Sequence, residues 1–295
     1  MNGTTLYVHR VWIVNGFEPQ VGESLSDFKI PFLAGFVAGL DIEYAAMKLR
    51  RSSIASILLV LAVCALAQGQ RGRQFNGRMP ANNTPPNAEF VLARWHYTAG
   101  CCGGGGWGHD YPVAEEHILQ IMSETTGLDT SQLAYRIVEL SSPEIFKYPF
   151  AYVSEPGEMS LSDEEVENLH EYIERGGFVM FDDFGGQADQ QEFQRFKPNM
   201  DRAFPDREMY VLTGSHPMLH NFFDVDGLLM EHPMTQVKSI FYGLDDSKGR
   251  LAMIICFNND VGDYWEFIDR PQYKIKPSAE ALKLGINFVM YTMTH

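Results

Sequence analysis

Apolar, strand-like segments alternate with amphipathic helical segments from about residue 90 onwards, and this alternation constrains the fold more than any other feature. Apolar residues at helical spacing fill the intervals between the strand-like segments, at 113–126, 160–173 and 190–204. Such alternation with short connections is typical of an open, mostly parallel sheet with helices on both faces. The strand-like segments are 90–95, 135–140, 149–153, 178–181 and 209–212.

The clearest helix begins at residues 160–165. This segment combines a serine capping residue with an acidic first turn, which is typical of a helix start. The pair Gly176-Gly177 follows the last apolar position and predicts the end of the helix.

The pattern changes after His216. Residues 237–242 and 250–257 flank a turn-like segment, which predicts an antiparallel hairpin at the edge of the sheet. Helical spacing over 279–292 predicts a closing helix. We therefore predict a single three-layer α/β domain over 88–295, with a mostly parallel sheet and an antiparallel edge hairpin.

Residues 47–67 have the three parts of a secretory signal peptide. A basic head precedes an apolar run of about 14 residues, shorter than the run of about 20 that spans a bilayer as a helix. The small residues Ala65 and Ala67 predict cleavage after Ala67. We expect a periplasmic or secreted protein with no stable membrane span in its mature chain. A tether by an uncleaved signal-anchor and a buried core helix are the alternatives.

Two segments flank this signal. Residues 1–46 carry no clear periodicity and precede a methionine that starts a complete signal, so we interpret them as a misassigned upstream extension. Residues 68–87 are dominated by Gln, Arg, Gly, Asn and Pro and predict a flexible linker.

The chain is acidic, with a net charge of -15. Residues 1–67 carry equal numbers of acidic and basic side chains, so the remainder keeps this whole charge. A polyanion such as nucleic acid is therefore excluded as a partner. We predict a small molecule or an envelope protein instead.

Three cysteines follow the predicted cleavage site: Cys101, Cys102 and Cys256. Adjacent cysteines rarely bridge each other without strain, so at most one disulfide, from Cys101 or Cys102 to Cys256, is available. Their spacing is not that of a zinc site. We assign no metal ligands and no cofactor. The glycine run after Cys102 lacks the Lys-Ser/Thr of a phosphate loop and is interpreted as a mobile flap.

Polar and aromatic residues gather where the predicted strands end. In an open α/β sheet the ligand crevice lies beyond the carboxyl ends of the strands, so these side chains are expected to converge on one acidic, aromatic-lined pocket. Trp265 is either a sugar-stacking platform or a side chain packed under its loop. The candidate ligand-binding residues are Trp107, Asp110, Tyr111, Glu155, Asn259, Asp260, Trp265 and Glu266.

The candidate catalytic residues are Asp182, Asp183 and His216. The two aspartates directly follow an apolar strand, so one is expected to face the crevice. Together with His216 they would suit acid-base catalysis or a bound cation. The alternative is that one aspartate merely caps the following turn.

Six motifs follow one another along the chain: Trp107-Gly108-His109-Asp110-Tyr111-Pro112, Leu161-Ser162-Asp163-Glu164-Glu165, Gly176-Gly177-Phe178, Asp182-Asp183-Phe184-Gly185-Gly186, His216-Pro217 and Asn258-Asn259-Asp260-Val261-Gly262-Asp263-Tyr264-Trp265-Glu266. None is diagnostic alone, but the ordered set is specific. In this order the motifs resemble the domain-of-unknown-function 4159 family over about residues 88–295.

The resemblance implies a flavodoxin-like sheet of the class I glutamine amidotransferase-like superfamily, in a bacterial exported or membrane-attached protein. Amidotransferases of that superfamily place a nucleophilic cysteine after a central strand and pair it with a downstream His-x-Glu. Here Asp182-Asp183 occupies that turn, while Cys101 and Cys102 follow the first strand. Without a thiolate the glutaminase reaction has no nucleophile.

The sequence therefore supports an exported envelope domain that binds a ligand or partner through an acidic crevice and lacks amidotransferase activity. The alternative is a hydrolase that uses an Asp/His acid-base pair, with or without a metal ion.

Overall fold

The computed structural model describes residues 80, 83–85, 87–130, 134–185, 190–225, 231–271 and 273–295. These residues belong to one contact-defined unit of the chain. The predicted secretory signal, the segment that precedes it and most of the predicted linker lie outside the described residues. Among the helices that are described, none has both the length and the apolar character needed to cross a membrane.

Seven strands of the described residues form one sheet: β1 (Leu92–His96), β2 (Tyr135–Glu139), β3 (Phe150–Ser154), β4 (Phe178–Asp182), β5 (Tyr210–Val211), β6 (Ile240–Asp245) and β7 (Leu251–Phe257). Their order in the sheet is β2-β1-β3-β4-β7-β6-β5. The neighbours from β2 through β7 in this order are parallel, whereas β6 runs antiparallel to both β7 and β5.

Within the described residues, five α-helices accompany the sheet: α1 (Val113–Thr126), α2 (Asp163–Glu174), α3 (Gln190–Ala203), α4 (Val261–Glu266) and α5 (Ile275–Thr294). Two apolar clusters lie on opposite faces of the sheet: one joins it to α1 and α5, and the other joins it to α2 and α3. In the central strands β3 and β4, alternate residues belong to different clusters because successive side chains of a strand point to opposite faces.

The start of α2 is fixed by a capping box. The Ser162 hydroxyl accepts the Glu165 amide, and the Glu165 carboxylate accepts the Ser162 amide at 2.8 Å. The other oxygen of that carboxylate accepts the Thr98 amide at 2.8 Å. Glu165 therefore joins the first turn of α2 to the loop that follows β1.

The structure confirms the predicted alternation and refines its details. The hairpin strand β6 continues to Asp245 because Leu244 is buried opposite Met253. The hairpin is not the outer edge, since β5 pairs with β6 on its free side. The last helix begins at Ile275 because Pro277 lies in its first turn, where the missing amide hydrogen is tolerated.

The strand order creates a topological switch point. From β1 the chain moves first to β2 on one side and then to β3 on the other, so the connections diverge at the carboxyl ends of β1 and β3. Ligands of open α/β sheets bind at such a switch point.

Candidate functional site

Residues with positive φ follow the carboxyl ends of four parallel strands. Glu155 (φ 50°), Asp183 (φ 65°) and Asn258 (φ 54°) come directly after β3, β4 and β7, and Asp110 (φ 64°) lies in the loop after β1. This conformation costs a residue other than glycine roughly 1–2 kcal/mol. Such strain clusters at functional sites, where the surrounding structure holds it in place.

Arg94 of β1 anchors the loop that carries Asp110. Its fully buried guanidinium donates from Nε to Glu115 of α1 at 2.5 Å. Its Nη1 donates to the carbonyl oxygens of Trp107 at 2.9 Å and His109 at 2.8 Å. A charged group inside the sheet layer thus fixes the backbone of the loop that carries Asp110, hereafter called the crevice loop.

His109 forms an ion pair with Asp183. His109 Nδ1 donates to Asp183 Oδ2 at 2.6 Å, and the Ser154 hydroxyl donates to the same oxygen at 3.3 Å. The hydrogen bond to Asp183 raises the pKa of His109 to about 10, so the imidazole is charged at neutral pH. The imidazole is 55% exposed, whereas the carboxylate is 6% exposed, so the pair stands between solvent and a buried interior.

Asp182 has a different environment from its neighbour. It accepts the backbone amides of Val261 at 3.1 Å and Gly262 at 2.7 Å and the Tyr152 hydroxyl at 3.1 Å. Burial raises the pKa of Asp182 to about 7, and these amide hydrogen bonds oppose the rise. Asp182 therefore ties β4 to the start of α4, while Asp183 faces the crevice.

Three buried carboxyl groups meet behind His109. Asp110, Asp183 and Asp260 each offer an oxygen, and these atoms lie within 4.8 Å of one another. Asp260 also caps α4 by accepting the Asp263 amide at 2.8 Å. Burial first, and then the neighbouring Asp183, raises the pKa of both Asp110 and Asp260. We call Asp110, Asp183 and Asp260 the inner triad.

Further carboxyl groups surround this inner triad. Glu155 forms a group with His109 and Asp183, and its pKa is raised to about 8 by burial and then by Asp183. Asp263 and Glu266 form another group with Asp110. The name acidic crevice hereafter means the side chains of Asp110, Glu155, Asp183, Asp260, Asp263 and Glu266.

The aromatic candidates are packed in the core. Trp265 is 2% exposed, and its Nε1 donates to the Ala281 carbonyl at 3.0 Å. Trp107 is 1% exposed and meets His96 edge to face. Tyr111 packs against Tyr135. Of the two alternatives for Trp265, the structure has the packed side chain.

Asn259 shapes the backbone between the strand ends. It is fully buried, and its side-chain oxygen accepts the Asp260 amide at 3.0 Å. Its carbonyl oxygen accepts the Phe184 amide at 3.0 Å. Asn259 thereby joins the segments that follow β4 and β7.

His216 is not brought to the aspartates. Its Nδ1 accepts the Met218 amide, and its ring lies 6.5 Å from that of Tyr291. Tyr291 in turn contacts Phe178, the first residue of β4, whereas Asp182 is the last. His216 therefore belongs to the other end of the sheet, and His109 is the histidine that pairs with Asp183.

The two backbone amides that follow Asp183 have acceptors within the fold. The Phe184 amide is bonded to Asn259, and the Gly185 amide donates to the Glu192 carboxylate at 2.6 Å. These amides are therefore engaged within the fold and do not form an oxyanion hole.

The cysteines do not form the disulfide that the sequence allowed. All three described cysteines are free. Cys256 is buried in β7, whereas Cys101 and Cys102 lie in the glycine-rich loop after β1.

Four contributors to the site are missing from the sequence-based candidate residues: Arg94, His109, Ser154 and Asp263. Arg94 gives a signal, because a charged residue inside an otherwise apolar strand is expected to have a buried partner. Ser154 gives none, since a serine at a strand end is common.

Comparison with family models identifies a match that spans nearly the whole α/β domain. A family model described as "Domain of unknown function (DUF4159)" matches residues 91–293, which include every strand of the sheet. A search of curated proteins finds no significant match.

Proposed function

The chain belongs to the DUF4159 family, and from that premise we propose that its domain binds a positively charged ligand in the acidic crevice. One observation carries the proposal. Among the described residues, His109 is the only cationic side chain that forms an ion pair with the crevice carboxyl groups. Buried carboxylates without counter-charges are costly, and a cationic ligand offsets that cost.

The burial of the inner triad favours a small ligand. Asp183 and Asp260 are 5% and 4% exposed, so a rigid protein surface does not reach their oxygens. An ion or an amine group that enters past His109 would reach them, because that imidazole is exposed to solvent. We therefore favour a small molecule or ion over an envelope protein as the occupant.

The binding proposal is tested by thermal denaturation with three probes: spermidine, glucosamine and CaCl₂. We expect at least one of them to raise the melting temperature of the wild type. The shift should disappear in Asp183→Asn and persist in Asp201→Asn, a matched control on the exposed face of α3. If no probe shifts the wild type, or if the shift survives in Asp183→Asn, the proposal is wrong.

A flavodoxin-like, amidotransferase-like architecture without amidotransferase activity is also part of the proposal. The order β2-β1-β3-β4-β7 supports the flavodoxin-like arrangement. Asp183 stands at the turn where a nucleophilic cysteine would be needed, and the neighbouring amides are engaged. Ammonia release from glutamine should therefore be no greater than in the Asp183→Asn variant.

We further propose that the domain is exported. Support comes from residues 47–67, whose basic head, apolar core and small residues are typical of a secretory signal. Sequencing the amino terminus of the protein from its native cells tests this, since export with cleavage predicts a start at Gln68.

Hydrolysis is the second candidate function, favoured by the His109–Asp183 pair beside a strained strand end. The protonated imidazole would donate a proton to a leaving group, and a crevice carboxylate would activate water. Turnover of p-nitrophenyl acetate or p-nitrophenyl phosphate that is lost in His109→Gln would support this function. Equal rates in wild type and variant would exclude it for these substrates.

A further inference from the structure

We propose that the inner triad binds one hard divalent cation, with a carboxylate oxygen from each of Asp110, Asp183 and Asp260 as ligands. This inference rests on the proposed function, because it names the class of ligand that the acidic crevice takes.

The spacing of the three carboxylates suits a single ion. Their oxygens lie within 4.8 Å of one another. Two oxygens on opposite sides of a Ca²⁺ ion are about 4.8 Å apart, since each lies about 2.4 Å from it. Smaller separations suit Mn²⁺ or Mg²⁺. The triad therefore reaches one ion without rearrangement of the backbone.

Asp110 provides an independent sign of an absent partner. Its side chain is 1% exposed, and within the described residues no N–H group or hydroxyl donates to its Oδ2. Buried carboxylate oxygens are normally satisfied, so an orphaned one calls for an explanation such as an ion. Gly262 lies beside this oxygen, and a Cβ added at Gly262 would be 2.5 Å from it.

The three ligands come from elements whose positions are fixed. Arg94 holds the loop of Asp110, and His109 and Ser154 both donate to Oδ2 of Asp183. Asp260 is held as the cap of α4. Ligands held by surrounding hydrogen bonds lose little conformational entropy when an ion binds, which favours affinity.

The chemistry of the ligands selects the class of ion. Three carboxylates form a hard, all-oxygen set, which suits Ca²⁺, Mg²⁺ or Mn²⁺ rather than a thiolate-seeking metal. None of the described cysteines belongs to a metal-competent group of the described residues. Two positive charges would offset most of the charge of the triad.

Calorimetric titration of the EDTA-treated protein with Ca²⁺ and Mn²⁺ tests the proposal. We expect one site per chain for at least one of these ions. Asp110→Asn and Asp260→Asn should each weaken its affinity at least about 10-fold, since even losing a group that supports a ligand costs about that much. Asp201→Asn should bind as the wild type does.

Melting temperatures measured without metal distinguish an ion-binding site from a cluster of carboxyl groups that has only a structural role. In EDTA, Asp110→Asn and Asp260→Asn should melt above the wild type, because each removes repulsion among buried carboxylates. The Asp260→Asn substitution keeps a good helix cap, so folding is preserved. With saturating Ca²⁺ or Mn²⁺ the order should reverse.

Three outcomes would overturn the proposal. These are absence of binding by both ions, binding that survives in Asp110→Asn and Asp260→Asn, and binding that is lost only in Glu155→Gln. The last result would place the ion among His109, Glu155 and Asp183. If neither ion binds but spermidine or glucosamine stabilises the wild type through Asp183, this inference alone fails. If no cation of any kind binds, the proposed function fails with it.

Discussion

Arg94→Met removes a buried charge on which the crevice loop depends. The guanidinium and its partner Glu115 are 0% and 2% exposed. Methionine approximates the length of the arginine stem, so the change removes three hydrogen bonds with little loss of packing. The two carbonyl groups that lose a donor belong to Trp107 and His109, so the substitution acts on the loop as well as on the core.

The expected loss of stability follows from these contacts. Removing one partner of a buried ion pair costs about 3–5 kcal/mol, because the other charge is left uncompensated. Each lost hydrogen bond from a charged donor is worth about 1.5–3 kcal/mol, although water entering the loop replaces part of it. We expect Arg94→Met to lower the free energy of unfolding by about 4 kcal/mol, a large part of a typical total of about 5–15 kcal/mol.

Urea unfolding followed by tryptophan fluorescence measures this loss. The double variant Arg94→Met/Glu115→Leu should recover about 2 kcal/mol relative to Arg94→Met, because it also removes the orphaned carboxylate. Cation affinity should stay low in both variants, since neither holds the crevice loop. A loss below about 1 kcal/mol in the single variant, or a double variant less stable than the single, would refute the role assigned to Arg94.

Two further predictions concern the crevice wall and the opposite end of the sheet. Gly262→Ala should lower the free energy of unfolding by about 1–3 kcal/mol and abolish ligand binding, because its Cβ would lie 2.5 Å from Asp110 Oδ2. The control Gly105→Ala should be tolerated in both assays, because its added Cβ would have no atom within 4 Å. Burial lowers the pKa of His216, so the unfolded chain binds this proton more readily and wild-type stability should fall as the pH drops through about 6.5. In His216→Asn the side chain still accepts the Met218 amide but does not titrate, so melting temperatures from pH 8 to 5 should fall less; parallel curves would contradict this.

The sheet and its helices follow from the sequence because burial imposes a period on apolar residues. Residues 113–126 form the predicted helix with the predicted bounds. The hairpin was harder to delimit: Gly243 and Asp245 are typical of a turn, and only the partners across the sheet show that the strand continues. Local propensity gives way to tertiary packing at such positions.

The convergence of acidic residues is also predictable, since parallel strands deliver their carboxyl ends to one edge. The different contacts of Asp182 and Asp183 are not predictable from the sequence. Both residues are aspartates, and only the fold decides which of them accepts the amides of α4. The position of His216 is likewise hidden from the sequence. It follows a two-residue strand, too short to carry a signal of direction or depth.

The positive φ angles at the strand ends imply a conflict between the stability of the fold and the activity of the site. Glycine at residue 155, 183 or 258 would adopt the same backbone without the steric penalty of a Cβ, so the side chains of Glu155, Asp183 and Asn258 are kept at a cost in backbone energy. Proteins accept such losses where activity depends on the side chain. An engineer who sought only heat resistance would begin at these positions and would obtain a robust scaffold with a disabled crevice.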